Sequence, residues 1–550
     1  MNYLEKYNLW LNYENLDPSL KEEMLNMTEK EKEEAFTNDL EFGTGGMRGI
    51  LGAGTNRLNK YIIKKATYGF GEYLLGQNPK ASCVIAHDNR HMSKEFALET
   101  AKVLASMGIV AYLSNDLRPT PFLSFATRKL GATGGIMITA SHNPKEYNGY
   151  KIYDADGCQL TPKYADMVID NINKINDYFE IRTEKNQELI KYIDEDVDNA
   201  YVEMVKNVSI NNVKKDLKIV YTPLHGTGSV FGPRILTEEG YDIHCVEAQM
   251  VHDPNFSSVK SANPEEADAF IESINLGHKI GADLLLATDP DADRVGIAVK
   301  HNGEYVLLNG NQTASIVLNY ILSTSKKLPE NGYVFTTNVS SSLPVAIAKK
   351  YNMNVNIVLT GFKFIGEKAK EIEGKGTYVF GFEESYGCLL SDEVRDKDAM
   401  QACLIIAEAA CYYKEQGKTL VDALNDIFEE YGYYKEGLVN ISLKGLEGSK
   451  KINEIMNFFR TNDINVKGIV TKEDYKLQEA YTNGETSKID LPKSNVIKYI
   501  LDDDSWFVLR PSGTEPKLKV YFGVKGNTNK MCEDRFVSLK AEVMNIVNEI

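Results

Sequence analysis

Three aspartates stand at alternate positions in Asp289-Pro290-Asp291-Ala292-Asp293-Arg294, directly after the apolar run LLLAT. An extended or tightly turned backbone sends side chains at i, i+2 and i+4 toward one side, so the three carboxylates converge and repel one another. A hard divalent cation with oxygen ligands is the natural compensation, and Mg²⁺ in particular keeps positions open for phosphate or water. A solvated acidic turn carries the same letters. Here, however, the turn ends a buried strand, and the apolar RVGIAV follows it. Arg294, beside the third aspartate, is placed to hold a phosphate near the metal.

Ser141 lies in Thr-Ala-Ser-His-Asn-Pro, again at the end of an apolar run, GGIMI, with the small Ala140 before it and His142 after it. Alone, such a serine is an ordinary turn residue or helix cap. Beside a metal-bound phosphate it becomes a candidate phosphoryl carrier, because a cation neutralises the charge that would repel an attacking oxygen. The turn Arg510-Pro511-Ser512-Gly513-Thr514-Glu515-Pro516-Lys517 groups a guanidinium, two hydroxyls and backbone N–H donors around a glycine. That is an arrangement suited to phosphate oxygens. Gly43-Thr44-Gly45-Gly46-Met47-Arg48-Gly49 is similarly glycine-rich and carries Arg48, but lacks the Lys-Ser/Thr ending of a Walker loop. Glu383 and Ser385 could bind sugar hydroxyls, the carboxylate strengthening the hydrogen bonds.

Repeated elements must position these loops. From residue 81, SCVIAHD, a helical stretch, IVAYLS, a second helix and GGIMITAS read as strand-helix-strand-helix-strand. The order recurs from 217, through LKIVYTP, DIHCVE, the helix PEEADAFIESIN and ADLLLATD, and again from 332 through GYVFTTN, NVNIVLTG and TYVFGFEES. Such alternation demands parallel or mixed sheets. Each third strand runs into a polar loop, TASHNP, DPDADR or FEESYG, and ligands sit at the carboxyl ends of strands in open α/β sheets. The fold expected is therefore α/β: three similar domains with mixed sheets around a central cleft, plus a C-terminal α+β domain whose strands meet at RPSGTEPK. The expected division is a helical extension over 1–40, broken between two short helices at Asp17-Pro18, then 41–205 with the Ser141 loop, 206–322 with the aspartate loop, 323–435 with the Glu383 loop, and 436–550 as a lid.

A chain of 550 residues matches that domain count at about 150 residues each. With 43% hydrophobic residues it can bury substantial cores, which excludes wholesale disorder. Its 62 basic and 78 acidic side chains, a net −16, repel nucleic-acid backbones, so an anionic substrate needs local basic residues. Seven dispersed cysteines form no CxxC pair and read as reduced thiols, and the histidines show no ligand spacing. The first residues lack a signal-peptide pattern and no apolar run reaches membrane length, so a cytoplasmic location and no membrane partner are expected.

FGTGGMRG, TASHNP, DPDADR, GFEESYG and RPSGTEP occur in the order seen in the α-D-phosphohexomutase superfamily, and the sequence resembles its bacterial phosphoglucomutase/phosphomannomutase members over residues 40–550. The resemblance implies that Ser141 is phosphorylated in the active enzyme and that Asp289, Asp291 and Asp293 hold Mg²⁺ together with an oxygen of that serine. It assigns Arg48, His142, Lys151 and Arg294 to the catalytic surroundings, with Lys151 the general base, a role a lysine fills when a cationic pocket lowers its pKa. It assigns Thr360, Gly361, Lys363, Glu383 and Ser385 to sugar binding, and Arg510, Ser512, Gly513 and Thr514 to a distal phosphate clamp.

The activity implied is interconversion of glucose 1-phosphate and glucose 6-phosphate through the phosphoserine and a glucose 1,6-bisphosphate intermediate, which also serves as activator. Tyr386-Gly387 favours glucose over mannose, while FGTGGMRG and DKDA at 396–399 resemble a branch that includes phosphopentomutases, so mannose and pentose phosphates remain alternatives. A metal-dependent sugar phosphatase would not need the remote RPSGTEPK turn. A non-catalytic sugar-phosphate sensor would be marked by loss of the serine or an aspartate, and all are present. The expected partners are small sugar phosphates and no nucleic acid, with the protein a monomer or homodimer.

Overall fold

A computed structural model describes the whole chain except Thr44, Lys444 and residues 513–515. It divides into two compact units, Met1–Thr313 with Phe362–Thr419 and Ala314–Gly361 with Leu420–Ile550.

In the first unit a six-stranded sheet runs in the order Gly46–Ile50, Tyr147–Tyr153, Gly134–Ile138, Ser82–His87, Val110–Leu113 and Ile190–Tyr192. Ser82–His87 is parallel to both its neighbours, whereas Tyr147–Tyr153 is antiparallel to Gly134–Ile138 and to Gly46–Ile50. The central strands are apolar without alternation because helices cover both faces. Lys60–Gln77 starts where the Asn59 side chain accepts from the N–H groups of Tyr61 and Ile62. It crosses Pro162–Asn173 so closely that a Cβ on Gly69 would lie 2.4 Å from Ile172 Cγ1.

A second sheet of five strands repeats the plan, in the order Glu304–Leu308, Val295–His301, Leu284–Thr288, Lys218–Thr222 and Asp242–Cys245. Leu284–Thr288 is parallel to Lys218–Thr222 and antiparallel to Val295–His301. Thr377–Phe382 likewise pairs antiparallel with Cys388–Leu389. In all three cases the third strand of a repeat reverses through a polar loop into an antiparallel return strand, so the sheets are mixed, as expected, and each loop is fixed at both ends.

The N-terminal extension packs on this body. Trp10 is fully buried, its Nε1–H donates to the Tyr178 hydroxyl at 2.8 Å, and its ring meets Phe36, Tyr61 and Phe179 edge-on. Where two helices were expected there are three, Tyr3–Leu11, Pro18–Asn26 and Glu29–Phe36, because Thr28 and Glu31 close a capping box that starts the last. The expected helix PEEADAFIESIN also differs: Ala267–Phe270 winds as a tight 3₁₀ turn before the α-helix Ile271–Ile280 begins.

The helix Ala399–Glu415 is buried over most of its length. Its cap, Asp398, accepts from the N–H groups of Met400 at 2.8 Å and Gln401 at 3.2 Å and from the Tyr201 hydroxyl at 3.0 Å. Burial outweighs these donors and pushes the carboxyl up to about 6 from 3.8. Between those values the folded protein keeps a proton that the unfolded chain releases. This group's contribution to stability is therefore complete below about 3.8 and is lost as pH rises through about 6. Asp398→Asn is expected to gain on the parent by up to about 3 kcal/mol between about pH 4 and pH 7 in urea unfolding. A pH-independent difference would contradict this.

In the second unit, Gly332–Thr337 runs parallel to Asn354–Val358. A seven-stranded antiparallel sheet follows the order Tyr433–Ser442, Lys517–Gly526, Trp506–Pro511, Ile497–Leu501, Ile469–Asp474, Glu479–Thr482 and Glu485–Lys488. Its core joins Phe459 of the helix Gly445–Thr461 and Leu539 and Val543 of the helix Asn529–Glu549 to Tyr499, Phe507 and Val520. This is the α+β arrangement expected for the C-terminal domain. All seven cysteines are free thiols, and only Cys245 is not buried. Among the described residues no helix is long and apolar enough to cross a membrane.

Candidate active site

Ser141 sits just beyond Gly134–Ile138 at φ +51°, the left-handed region that a serine adopts only when its surroundings hold it there. Its N–H donates to Thr139 Oγ1 at 2.8 Å, and its Oγ donates to Asp289 Oδ2 at 2.8 Å and lies 3.2 Å from His142 Nδ1. Serine and aspartate loops, 148 residues apart, thus meet side by side.

The three aspartates converge as their spacing requires. Each offers a ligand oxygen within 4.8 Å of the others, and all are buried. Asp289 Oδ1 is engaged by the N–H groups of Asp293 and Arg294, at 3.1 and 3.0 Å. Asp291 Oδ2 accepts from Thr120 Oγ1 and Lys151 Nζ, both at 2.8 Å. Asp291 Oδ1 and Asp293 Oδ1 are buried with no hydrogen-bond partner, a costly condition that a hard cation relieves. Burial and then repulsion from Asp291 and Asp293 push the Asp289 carboxyl well above the usual range. Oxygen donors, convergence and orphaned oxygens together fit a divalent metal ion.

The cationic residues crowd the same place. Lys151, on the return strand Tyr147–Tyr153, lies 2.8 Å from Asp291 Oδ2 and 3.6 Å from Asp293 Oδ2. Burial pushes its pKa down, but the two carboxylates outweigh burial and hold it above the ordinary lysine value. Lys151 is here a charged donor. His142 is held well below the ordinary histidine value by burial and by Arg294 and Arg48, so it is neutral at pH 7 and free to accept. Arg48 Nη1 donates to Asn143 Oδ1 at 2.7 Å, within the Ser141 loop. Arg294 Nη1 pairs with Glu265 Oε1 at 2.5 Å, and its Nε lies 3.7 Å from Asp293 Oδ1.

Glu383 is buried at the end of Thr377–Phe382, and its N–H donates to the Gly387 carbonyl at 2.9 Å, closing the loop that contains Ser385. Tyr386 turns that loop at φ +68°, and its carbonyl accepts from the N–H of Val295 at 3.1 Å, which ties it to the aspartate loop. The Glu383 field reaches both Arg294 and Lys397. Lys363, in the same unit, stacks its ammonium 5.4 Å from the Phe364 ring.

In the second unit, Thr360 Oγ1 donates to Asn338 Oδ1 at 3.4 Å and Gly361 takes φ +121°. Arg510 lies on Trp506–Pro511 opposite Lys519, and the Ser512 N–H donates to the Lys517 carbonyl at 2.7 Å. Gly513 and Thr514 lie outside the described residues.

Three residues that sequence reasoning passes over belong to the cluster. Thr120 also gives its N–H to the Asp291 carbonyl at 2.9 Å. Lys397 Nζ stands 3.1 Å from Asp293 Oδ2. Arg90 grips the Ser141 loop. The signal for Arg90 was its place, just after the buried strand Ser82–His87, where the other functional loops also begin. Lys397 lies in DKDA.

Comparison with known proteins bears on the fold and the family. Models of the phosphoglucomutase/phosphomannomutase α/β/α domains I, II and III match residues 39–179, 199–303 and 309–431, and that of the C-terminal domain matches 464–532. A phosphoglucomutase of Staphylococcus aureus (strain MRSA252) is 42% identical over 527 residues, 94% of this chain and 95% of that protein. Two crystal structures share the fold. A putative phosphomannomutase from Thermus thermophilus has TM-score 0.69 and 21% identity, covering 93% of this chain and 99% of that one. The Paramecium phosphoprotein parafusin has TM-score 0.67 and 18% identity, covering 92% and 95%. A buried serine facing three aspartates on a repeated α/β scaffold defines a phosphosugar mutase, and the chain belongs to the phosphoglucomutase/phosphomannomutase family within the α-D-phosphohexomutase superfamily.

Proposed function

We propose that this enzyme interconverts glucose 1-phosphate and glucose 6-phosphate, with Ser141 as phosphoryl carrier and glucose 1,6-bisphosphate as intermediate and activator. The observation that carries the reading is the 2.8 Å contact of Ser141 Oγ with Asp289 Oδ2 beside two buried carboxylate oxygens that accept no hydrogen bond. Asp289, Asp291 and Asp293, with an oxygen of phosphorylated Ser141, hold Mg²⁺. When bound, that ion supplies neutralising charge for the phosphoryl group in transfer.

The protein's own residues do the rest. Phosphorylated Ser141 gives its phosphoryl group to the free hydroxyl of a sugar monophosphate. The bisphosphate turns end over end, and the other phosphoryl group returns to Ser141. Arg48 and Arg294 offer donors to the phosphoryl oxygens. Lys151, an ammonium paired with Asp291 in the resting protein, acts as the general base by first giving up that proton and then taking the one on the reacting hydroxyl, while neutral His142 orients Ser141 Oγ. Glu383 and Ser385, with Thr360, Gly361 and Lys363, bind the sugar. Arg510, Ser512, Gly513 and Thr514 clamp the phosphate that is not reacting. The C-terminal domain, from about residue 436, excludes water, without which the phosphoserine would be lost to hydrolysis.

Assays with glucose, mannose and ribose phosphates, with Mg²⁺ and the sugar bisphosphate supplied, test the substrate. Glucose phosphate is expected to lead by about tenfold or more in kcat/KM, the scale on which one misplaced hydroxyl in a polar site is felt. A higher kcat/KM for mannose or ribose phosphate would contradict the glucose assignment. Release of inorganic phosphate in step with turnover would contradict a mutase altogether.

A further inference from the structure

Arg90 occupies the turn after the buried strand Ser82–His87, and both its side chain and that of Asp88 are wholly inaccessible to solvent. Nη1 donates to the carbonyl oxygens of Pro144 at 2.8 Å and Tyr147 at 3.0 Å. Nη2 donates to those of Ser141 and Asn143, both at 2.5 Å. A single guanidinium therefore gathers four carbonyls of the loop that carries Ser141. Its Nε faces Asp88 Oδ2 at 3.4 Å. Asp88 is itself fixed, its Oδ1 accepting from the Arg90 N–H at 2.9 Å and Ser93 Oγ at 2.6 Å. The Phe256 ring covers the guanidinium at 5.1 Å from its centroid.

Four carbonyl dipoles do not converge unaided, because their oxygens repel and each would otherwise seek water. A planar fork with five N–H donors can hold them in one arrangement, and an ammonium with three donors cannot. The loop has no cis peptide, so each N–H points opposite to the carbonyl of its own peptide unit. Drawing the carbonyls of Ser141 and Pro144 toward Arg90 turns the N–H groups of His142 and Lys145 away from it. The same arrangement holds Ser141 at φ +51° with Oγ on Asp289.

We infer that Arg90 is the positioning residue that holds the Ser141 loop in its phosphoryl-transfer shape, with Asp88 and Phe256 as its supports. The inference rests on the function proposed above. It acts on transfer and not on sugar binding, so kcat and KM should separate.

The test is steady-state kinetics of Arg90→Lys and Asp88→Asn, together with the rate at which glucose 1,6-bisphosphate phosphorylates Ser141, followed by intact-mass spectrometry and normalised to the folded fraction. Arg90→Lys is expected to lose ~100-fold or more in kcat and in Ser141 phosphorylation, with KM for glucose 1-phosphate within about threefold of the parent. Asp88→Asn, which keeps the guanidinium but loosens its anchor, should lose ~10-fold in the same pattern. In Arg90→Gly, added guanidinium ion should restore part of the rate and ammonium should not. Per-molecule turnover of folded Arg90→Lys within about threefold of the parent would overturn the inference, as would loss in both Arg90→Lys and Asp88→Asn that only follows the folded fraction. A parent protein without mutase activity would instead overturn the proposed function.

Discussion

Ser141→Ala is expected to lower the interconversion rate by roughly 10⁴-fold or more while glucose 1-phosphate still binds within a few-fold of the parent affinity. The asymmetry follows from the site. The substitution removes one oxygen atom at a buried position of a loop whose shape is set by backbone contacts, so the surfaces that would hold the sugar are left intact. Thr139 is not free to take over as carrier, because its Oγ1 accepts from the residue 141 N–H at 2.8 Å and bonds to the Asp88 carboxylate. A coupled glucose 6-phosphate assay reads the rate and calorimetry reads the binding. Turnover within about tenfold of the parent would remove Ser141 from the chemistry.

Asp291→Ala is expected to abolish the response to Mg²⁺ and to cost about 10³-fold in activity. Two effects combine there. A carboxylate of the converging set is lost, and with it the orphaned Oδ1 that asks for a cation. Lys151 also loses its 2.8 Å partner, so its ammonium is left facing Asp293 alone. Thermal unfolding supplies a readout apart from catalysis. Mg²⁺ at about 100 times its dissociation constant should stabilise the parent by about 2.7 kcal/mol and leave the variant unmoved. Equal stabilisation of both proteins would place the ion elsewhere.

The repeats were legible because strands buried on both faces leave continuous apolar runs. LLLAT and GGIMI announce themselves, and the aspartate spacing after LLLAT points to its chemistry directly. The helix Glu29–Phe36 was hidden because only Ala35 and Phe36 are buried, too few to draw an apolar stripe through EKEKEEAF. The partners of Lys151 were hidden for a different reason. Whether a lysine sits among cations or anions depends on loops 140 residues away, and no local pattern records that. Arg90 and Lys397 share the difficulty, since a lone cation in a short loop has no periodicity. Their partners lie 51 and 104 residues away in the chain at Ser141 and Asp293.

The central claim is that one hydroxyl carries the phosphoryl group between the two ends of a sugar. Exposing the protein to glucose bisphosphate with isotopically marked phosphoryl oxygens, then locating the mark by peptide mass spectrometry, tests it most directly. The mark is expected on Ser141, transferred onward to unlabelled glucose 1-phosphate when that is added. A mark on any other residue, or its appearance as free phosphate with none retained on the protein, would contradict it.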